Sequence, residues 1–112
     1  MNIVLIEINN FGSEATVEQI NSLREEISRK LSRFENHLTR IEAYFKDANG
    51  PTKQGIDKQC KLEARLKSQS MPVVVSAEGA SKEQTLHDAV DKLVTLLSRT
   101  IEKSQEHRQN AN

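Results

Sequence analysis

The sequence predicts an α+β domain with a β-α-β-β-β-α order. It is a two-layer sandwich: a four-stranded, mostly antiparallel sheet with two helices on one face. Three observations lead there. Thr39–Asp47 and Lys58–Lys67 alternate apolar and polar residues with a period of two, which marks strands with one buried face. Two longer segments repeat apolar residues at spacings of three and four, which marks amphipathic helices. A capping-box pattern stands ahead of each helical segment.

The elements follow in order. Residues 3–9, IVLIEIN, are apolar and β-branched and read as a strand, broken by Phe11-Gly12-Ser13. Thr16-x-x-Gln19 is the first capping box, and behind it Ile20, Leu23, Ile27, Leu31, Phe34 and Leu38 predict one helix of about six turns. In the second strand Ile41, Ala43 and Phe45 point inward, while Arg40, Glu42, Tyr44 and Lys46 point outward. Asn49-Gly50-Pro51 signals a turn, so NGPTKQGIDKQC joins two strands of a hairpin. Cys60, Leu62, Ala64 and Leu66 face inward from the third strand. Met71–Ala77 is the fourth, with Pro72 at its start, where a missing amide is tolerated. Ser81-x-x-Gln84 opens the second helix, whose apolar face is Leu86, Ala89, Val90, Leu93, Val94, Leu97 and Ile101. We expect one domain over residues 1–103 and a polar, fraying tail over residues 104–112.

Composition removes several classes of function. One cysteine excludes an intramolecular disulfide and any multi-cysteine zinc site. His37, His87 and His107 have no metal-ligand spacing, so no metal and no cofactor is expected. The hairpin loop carries Gly50, Lys53 and Gly55, but it joins strands and matches no phosphate-binding motif. Asp47 and Asp57 flank that loop and have no cleft in which to act as acid and base. No enzyme and no small-molecule substrate is expected. The first ten residues lack a basic region before their apolar run, and nothing has the length of a membrane span, so the expected address is the cytoplasm.

Charge is more informative. The net charge is zero, but Arg24 to Lys67 holds 11 Lys and Arg against 7 Asp and Glu, and the remainder holds 5 against 9. A basic middle of this kind can mark a nucleic-acid surface. Arg29, Arg33 and His37, with Lys30 beside them, fall in one row on the first helix. Lys92, Arg99 and Lys103 fall in one row on the second. Arg40, Lys46, Lys61, Arg65 and Lys67 lie on the wet side of the sheet. Phosphate contacts need cations without sequence precision. Acidic neighbours such as Glu25, Glu26, Glu42 and Glu63 dilute the field, and solvated ion pairs are the plainer account of the same residues. Composition alone leaves RNA binding level with a protein-partner role through the sheet face around Tyr44 or the edge strand 3–9.

The stretches SRKLSRFENHL, DANGPTKQGIDKQCKLEARL, VVVSAEG and HDAVDKLVTLLSRTIEK together resemble the ribosome hibernation promoting factor family, which includes the ribosome-associated inhibitor and the sigma-54 modulation proteins. The resemblance covers nearly the whole chain and rests on the order and spacing of these segments. It implies a fold like that of double-stranded-RNA-binding domains. It also implies a stasis factor that binds ribosomal RNA of the small subunit near the decoding channel and suppresses translation. Arg29, Lys30, Arg33 and Arg99 fall at the family's basic helix positions. Arg40, Lys53, Lys58, Lys92 and Lys103 complete the expected RNA-binding set. The chain departs from the family at Leu86, where an aromatic residue is usual, at Leu96, where a lysine is usual, and in its zero net charge. Longer members carry a second, dimerising domain, for which 112 residues leave no room, so a short form is expected.

Overall fold

The computed structural model describes residues 4–12, 15–47 and 58–110. β1 (Leu5–Asn9) ends where Asn10 (φ 63°) and Gly12 (φ 131°) take positive φ. Left-handed backbone suits asparagine and glycine, so the chain can turn sharply here into the first helix. α1 runs Val17–Lys30. Its capping box is complete: the Gln19 amide donates to Thr16 Oγ1 at 3.1 Å, and the Thr16 amide donates to Gln19 Oε1 at 2.9 Å.

The long first helix expected from the apolar stripe is corrected. α1 stops at Lys30, and a single 3-10 turn spans Ser32–Phe34. The Ser32 hydroxyl donates to the Arg29 carbonyl at 3.0 Å, a local side-chain bond that competes with the next helical turn. Leu31, Phe34 and Leu38 stay buried, so the stripe serves the same core through a different backbone.

β2 (Leu38–Asp47), β3 (Lys58–Leu66) and β4 (Val73–Gly79) complete a sheet of order β1-β2-β3-β4. β1 and β2 are parallel, as a β-α-β crossover requires, and the other two pairings are antiparallel. A register shift lies between Leu38 and Arg40. Leu38 pairs with Leu66 and Arg40 with Arg65, so Thr39 is an extra residue that lets Leu38 face inward and Arg40 outward. The turn assigned to Asn49–Pro51, and Lys53 with it, lie outside the described residues.

α2 spans Lys82–Asn110, and the backbone stays helical beyond Lys103. The Gln84 amide donates to Ser81 Oγ at 3.2 Å, but the Gln84 side chain turns forward to Asp88 at 3.1 Å. The second box is therefore half formed. The two helices cover one sheet face. The core between the layers is built from Ile27 and Leu31, from Ile41, Ala43 and Phe45, from Cys60, Leu62 and Ala64, and from Leu86, Ala89, Val90, Leu93 and Leu97. Phe11 closes it at one end, edge-on to Phe45 with ring centroids 5.0 Å apart. Burial pushes the Cys60 thiol up to about 12, which leaves it a small core hydrophobe.

Gly79 explains the end of the VVVSAEG segment. A Cβ here would lie 2.6 Å from Thr85 Oγ1. Thr85 is buried and its hydroxyl donates 2.6 Å to the Ser81 carbonyl, so it cannot yield. Gly79→Ala is expected to cost about 1–3 kcal/mol in urea unfolding, as overpacking of a tight site does. Thr85→Ala in the same chain should recover most of that loss. Equal unfolding midpoints for wild type and Gly79→Ala would contradict this packing.

Candidate nucleic-acid interface

Direction along the chain decides where the cations meet. β1 runs toward one end of the domain, α1 returns, β2 runs out, β3 returns, β4 runs out and α2 returns. The last turn of α1, the start of β2, the end of β3, the β3–β4 turn and the later part of α2 therefore share one end. Residues 26–41, 64–74 and 95–103 of that end hold eight Lys and Arg (Arg29, Lys30, Arg33, Arg40, Arg65, Lys67, Arg99 and Lys103). They hold three Glu (Glu26, Glu35 and Glu102), and Glu7 and Glu42 join them through their ion pairs with Arg40, for a net of +3. The chain as a whole is neutral, so the rest carries −3. The molecule has a basic pole, and a field of this shape steers a polyanion to one end.

Local chemistry holds the pole in place. The Lys67 amide donates 2.9 Å to the His37 carbonyl, which ties the end of β3 to the turn before β2. Arg33 Nη2 donates 2.7 Å to Ser98 Oγ and its guanidinium lies 4.7 Å from the Phe34 ring centroid. Arg29 and Lys30 also sit in the last turn of α1, where cations complement the helix dipole. Arg40 is committed on the open sheet face, 2.8 Å from Glu7 Oε2 and 2.7 Å from Glu42 Oε1.

The expected residues therefore separate. Arg29, Lys30, Arg33, Arg40, Arg99 and Lys103 gather at the pole. The row expected over Arg29, Arg33 and His37 is corrected, because the helix ends before Arg33. Lys92, Arg99 and Lys103 do share one flank of α2, but it is the flank toward the β4 edge, where Lys92 Nζ donates 2.9 Å to the Ser76 carbonyl. Lys58 lies at the opposite end, in a cleft with Phe11, Gln19, Lys82 and Glu83. Arg65 and Lys67 belong to the pole and were absent from the expected set. Their outward register was legible, but their end of the sheet depends on the topology.

The open sheet face, which meets the pole at Arg40 and Arg65, is balanced. Arg40, Lys46, Lys61 and Arg65 stand among Glu7, Glu42, Glu63 and Glu78. Tyr44, at its centre, donates its hydroxyl to Glu42, and Lys61 Nζ sits 5.2 Å from the Tyr44 ring centroid. That hydrogen bond holds the Glu42 carboxyl below its usual value of 4.5, with the Arg40 guanidinium acting in the same sense and burial opposing. The same bond holds the Tyr44 phenol above its usual 10.0, with burial adding to it. The Glu42 contribution to stability is present above its unfolded value and is lost as pH falls through the lower folded one. The Tyr44 contribution is present below its unfolded value and is lost as pH rises through the higher folded one. A phenolate absorbance titration should place Tyr44 above an ordinary tyrosine, and Glu42→Gln should bring it back down. An unchanged midpoint in Glu42→Gln would contradict the assigned cause.

The fold and site together define a two-layer α+β domain with half of its sixteen Lys and Arg at one end. Among the described residues no three His, Cys, Asp or Glu side chains are grouped to hold a metal, and no helix is long and apolar enough to cross a membrane. The chain belongs to the Sigma 54 modulation protein / S30EA ribosomal protein family, whose model matches residues 14–109. Membership puts it among binding factors rather than enzymes. No curated protein matches it by sequence. Among solved structures it is similar to a ribosomal subunit interface protein from Coxiella burnetii, at 17% identity and a TM-score of 0.62, over 89% of this chain and 99% of that one. It is also similar to the N-terminal domain of Protein Y from Thermus thermophilus, at 21% identity and a TM-score of 0.61, again over 89% and 99% of the two chains. At these identities the likeness is one of fold.

Proposed function

We propose that this protein is a ribosome-associated stasis factor. It binds ribosomal RNA of the small subunit near the decoding channel through its basic pole and so suppresses translation. The observation that carries this reading is the pole itself: a net of +3 at one end of a neutral chain that belongs to the S30EA ribosomal protein family. Arg29, Arg33, Arg65, Lys67, Arg99 and Lys103 contact phosphates, with Arg40 at the rim and Lys30 beside them, held in the seam between the helices. Lys92 adds charge along the α2 flank. Lys58 would touch RNA only if the nucleic acid extended to the far end of the domain, and Lys53 is proposed as an RNA contact on its charge alone. The work is done in the cytoplasm and needs no cofactor.

A protein-partner role through the sheet face is the weaker alternative. The charges there are matched, and Tyr44 and Arg40 are already engaged within the molecule. The test is co-sedimentation with small ribosomal subunits over a salt series. Saturable binding that falls steeply with salt is expected, because counterion release drives phosphate contacts. Absence of binding at low salt would sink the proposal and move the search to partners of the sheet.

A further inference from the structure

The seam between the helices holds a charged cluster that the proposed RNA contacts do not use. Lys30 Nζ lies 2.8 Å from His87 Nδ1, and His87 Nε2 lies 2.8 Å from Glu26 Oε1. Lys30 is also 3.9 Å from Glu26 Oε1 and 3.8 Å from Asp91 Oδ1. An ammonium can only donate, so His87 Nδ1 must accept, and its proton sits on Nε2, where it donates to Glu26. This geometry is that of a neutral imidazole. A second proton, on Nδ1, would set two donors against each other at 2.8 Å.

We infer that this seam is a proton-sensitive latch: protonation of His87 expels the Lys30 ammonium and frees its charge for the polyanion bound at the basic pole. The groups facing His87 are few. From α1 they are Glu26 and Lys30. On its own helix Glu83 and Asp91 lie one turn either side. The sheet residues beneath α2 are apolar except Lys58, at the far end. The protonated ring keeps Glu26 as a partner through Nε2. Lys30 loses its one short bond and retains only the two contacts near 4 Å. It lies in the last turn of α1 beside Arg29, with Arg33 just beyond, so release adds a mobile cation to the pole. Histidine is the side chain whose charge changes between about pH 5 and 8, so mild acidification would raise affinity for RNA. This consequence rests on the proposed ribosome reading, whereas the latch itself does not.

The experiment has two arms, each on wild type and His87→Gln. Glutamine offers one acceptor and one donor and does not titrate. In the first arm, NMR follows the Lys30 Cε signals and the His87 ring nitrogens from about pH 8 to pH 5.5, the range over which histidine titrates. The Lys30 signals should move with the His87 titration and stay still in His87→Gln. In the second arm, binding to small ribosomal subunits is measured against salt at both ends of that range. The wild-type log–log slope should steepen on acidification by about one more than in His87→Gln, the value of one added phosphate contact. Every other titrating group is common to both proteins and cancels. Lys30 signals indifferent to His87 would overturn the latch, whether or not RNA binds. A coupled Lys30 with equal slopes in the two proteins would overturn its regulatory role. Loss of binding at both pH values would fall on the ribosome reading, with the latch still decided by the first arm.

Discussion

Reversing three cations of the pole, Arg29→Glu, Lys67→Glu and Arg99→Glu, is expected to weaken binding to small ribosomal subunits by about 100-fold or more. A contact between unit charges at about 4 Å is worth about 1 kcal/mol even in water, and three lost contacts reach the energy of two decades of affinity. The salt slope should fall by about two to three, one contact at a time. These three residues come from α1, the end of β3 and α2, and all are exposed, so folding should survive. A matched reversal away from the pole, Lys46→Glu with Lys61→Glu, should cost far less. Equal losses in the two variants would mean that net charge matters and its placement does not. Co-sedimentation decides between these results.

The largest effect on stability is expected from Leu93→Ala. Leu93 is 0% exposed on the face of α2 that lies on the sheet, among Leu86, Ala89, Val90 and Leu97. Truncating a leucine in such a core costs about 2–5 kcal/mol through lost transfer energy and the cavity left behind. A domain of this size has a total stability of about 5–15 kcal/mol, so the loss is a large fraction of the whole. The thermal midpoint should fall by roughly 10 °C or more. Thr95→Ala, on the exposed side of the same helix, should stay within about 0.5 kcal/mol. Calorimetry of the two variants measures the difference. A Leu93→Ala protein as stable as Thr95→Ala would contradict the packing between α2 and the sheet.

Most of the fold was legible because each layer announces its own period. The alternation in Thr39–Asp47 and Lys58–Lys67 placed Ile41, Phe45, Cys60 and Leu62 correctly on the buried side. The spacing of Leu86 to Leu97 did the same for α2. The reading failed where one apolar spacing served two backbones. Leu31, Phe34 and Leu38 continue the helical stripe, no glycine or proline interrupts it, and only the Ser32 hydroxyl and the extra residue at Thr39 show that the chain has left the helix. The site was legible by residue type and only partly by place. Rows of cations on one helix can be read from spacing. Their convergence at one end follows from strand direction, which the linear sequence gives only after the topology is known. For that reason Arg65 and Lys67, legible as wet-face cations, stood outside the expected RNA-binding set, while Lys58, equally basic, lies at the far end.

The most direct test of the basic pole is lysine reactivity in the complex. The protein would be reductively methylated free and bound to small ribosomal subunits, and each lysine quantified. The account predicts strong protection of Lys67 and Lys103, with Lys46 and Lys61 as reactive as in the free protein. Protection of Lys46 and Lys61 with Lys67 and Lys103 left open would place the interface on the sheet and contradict the central claim.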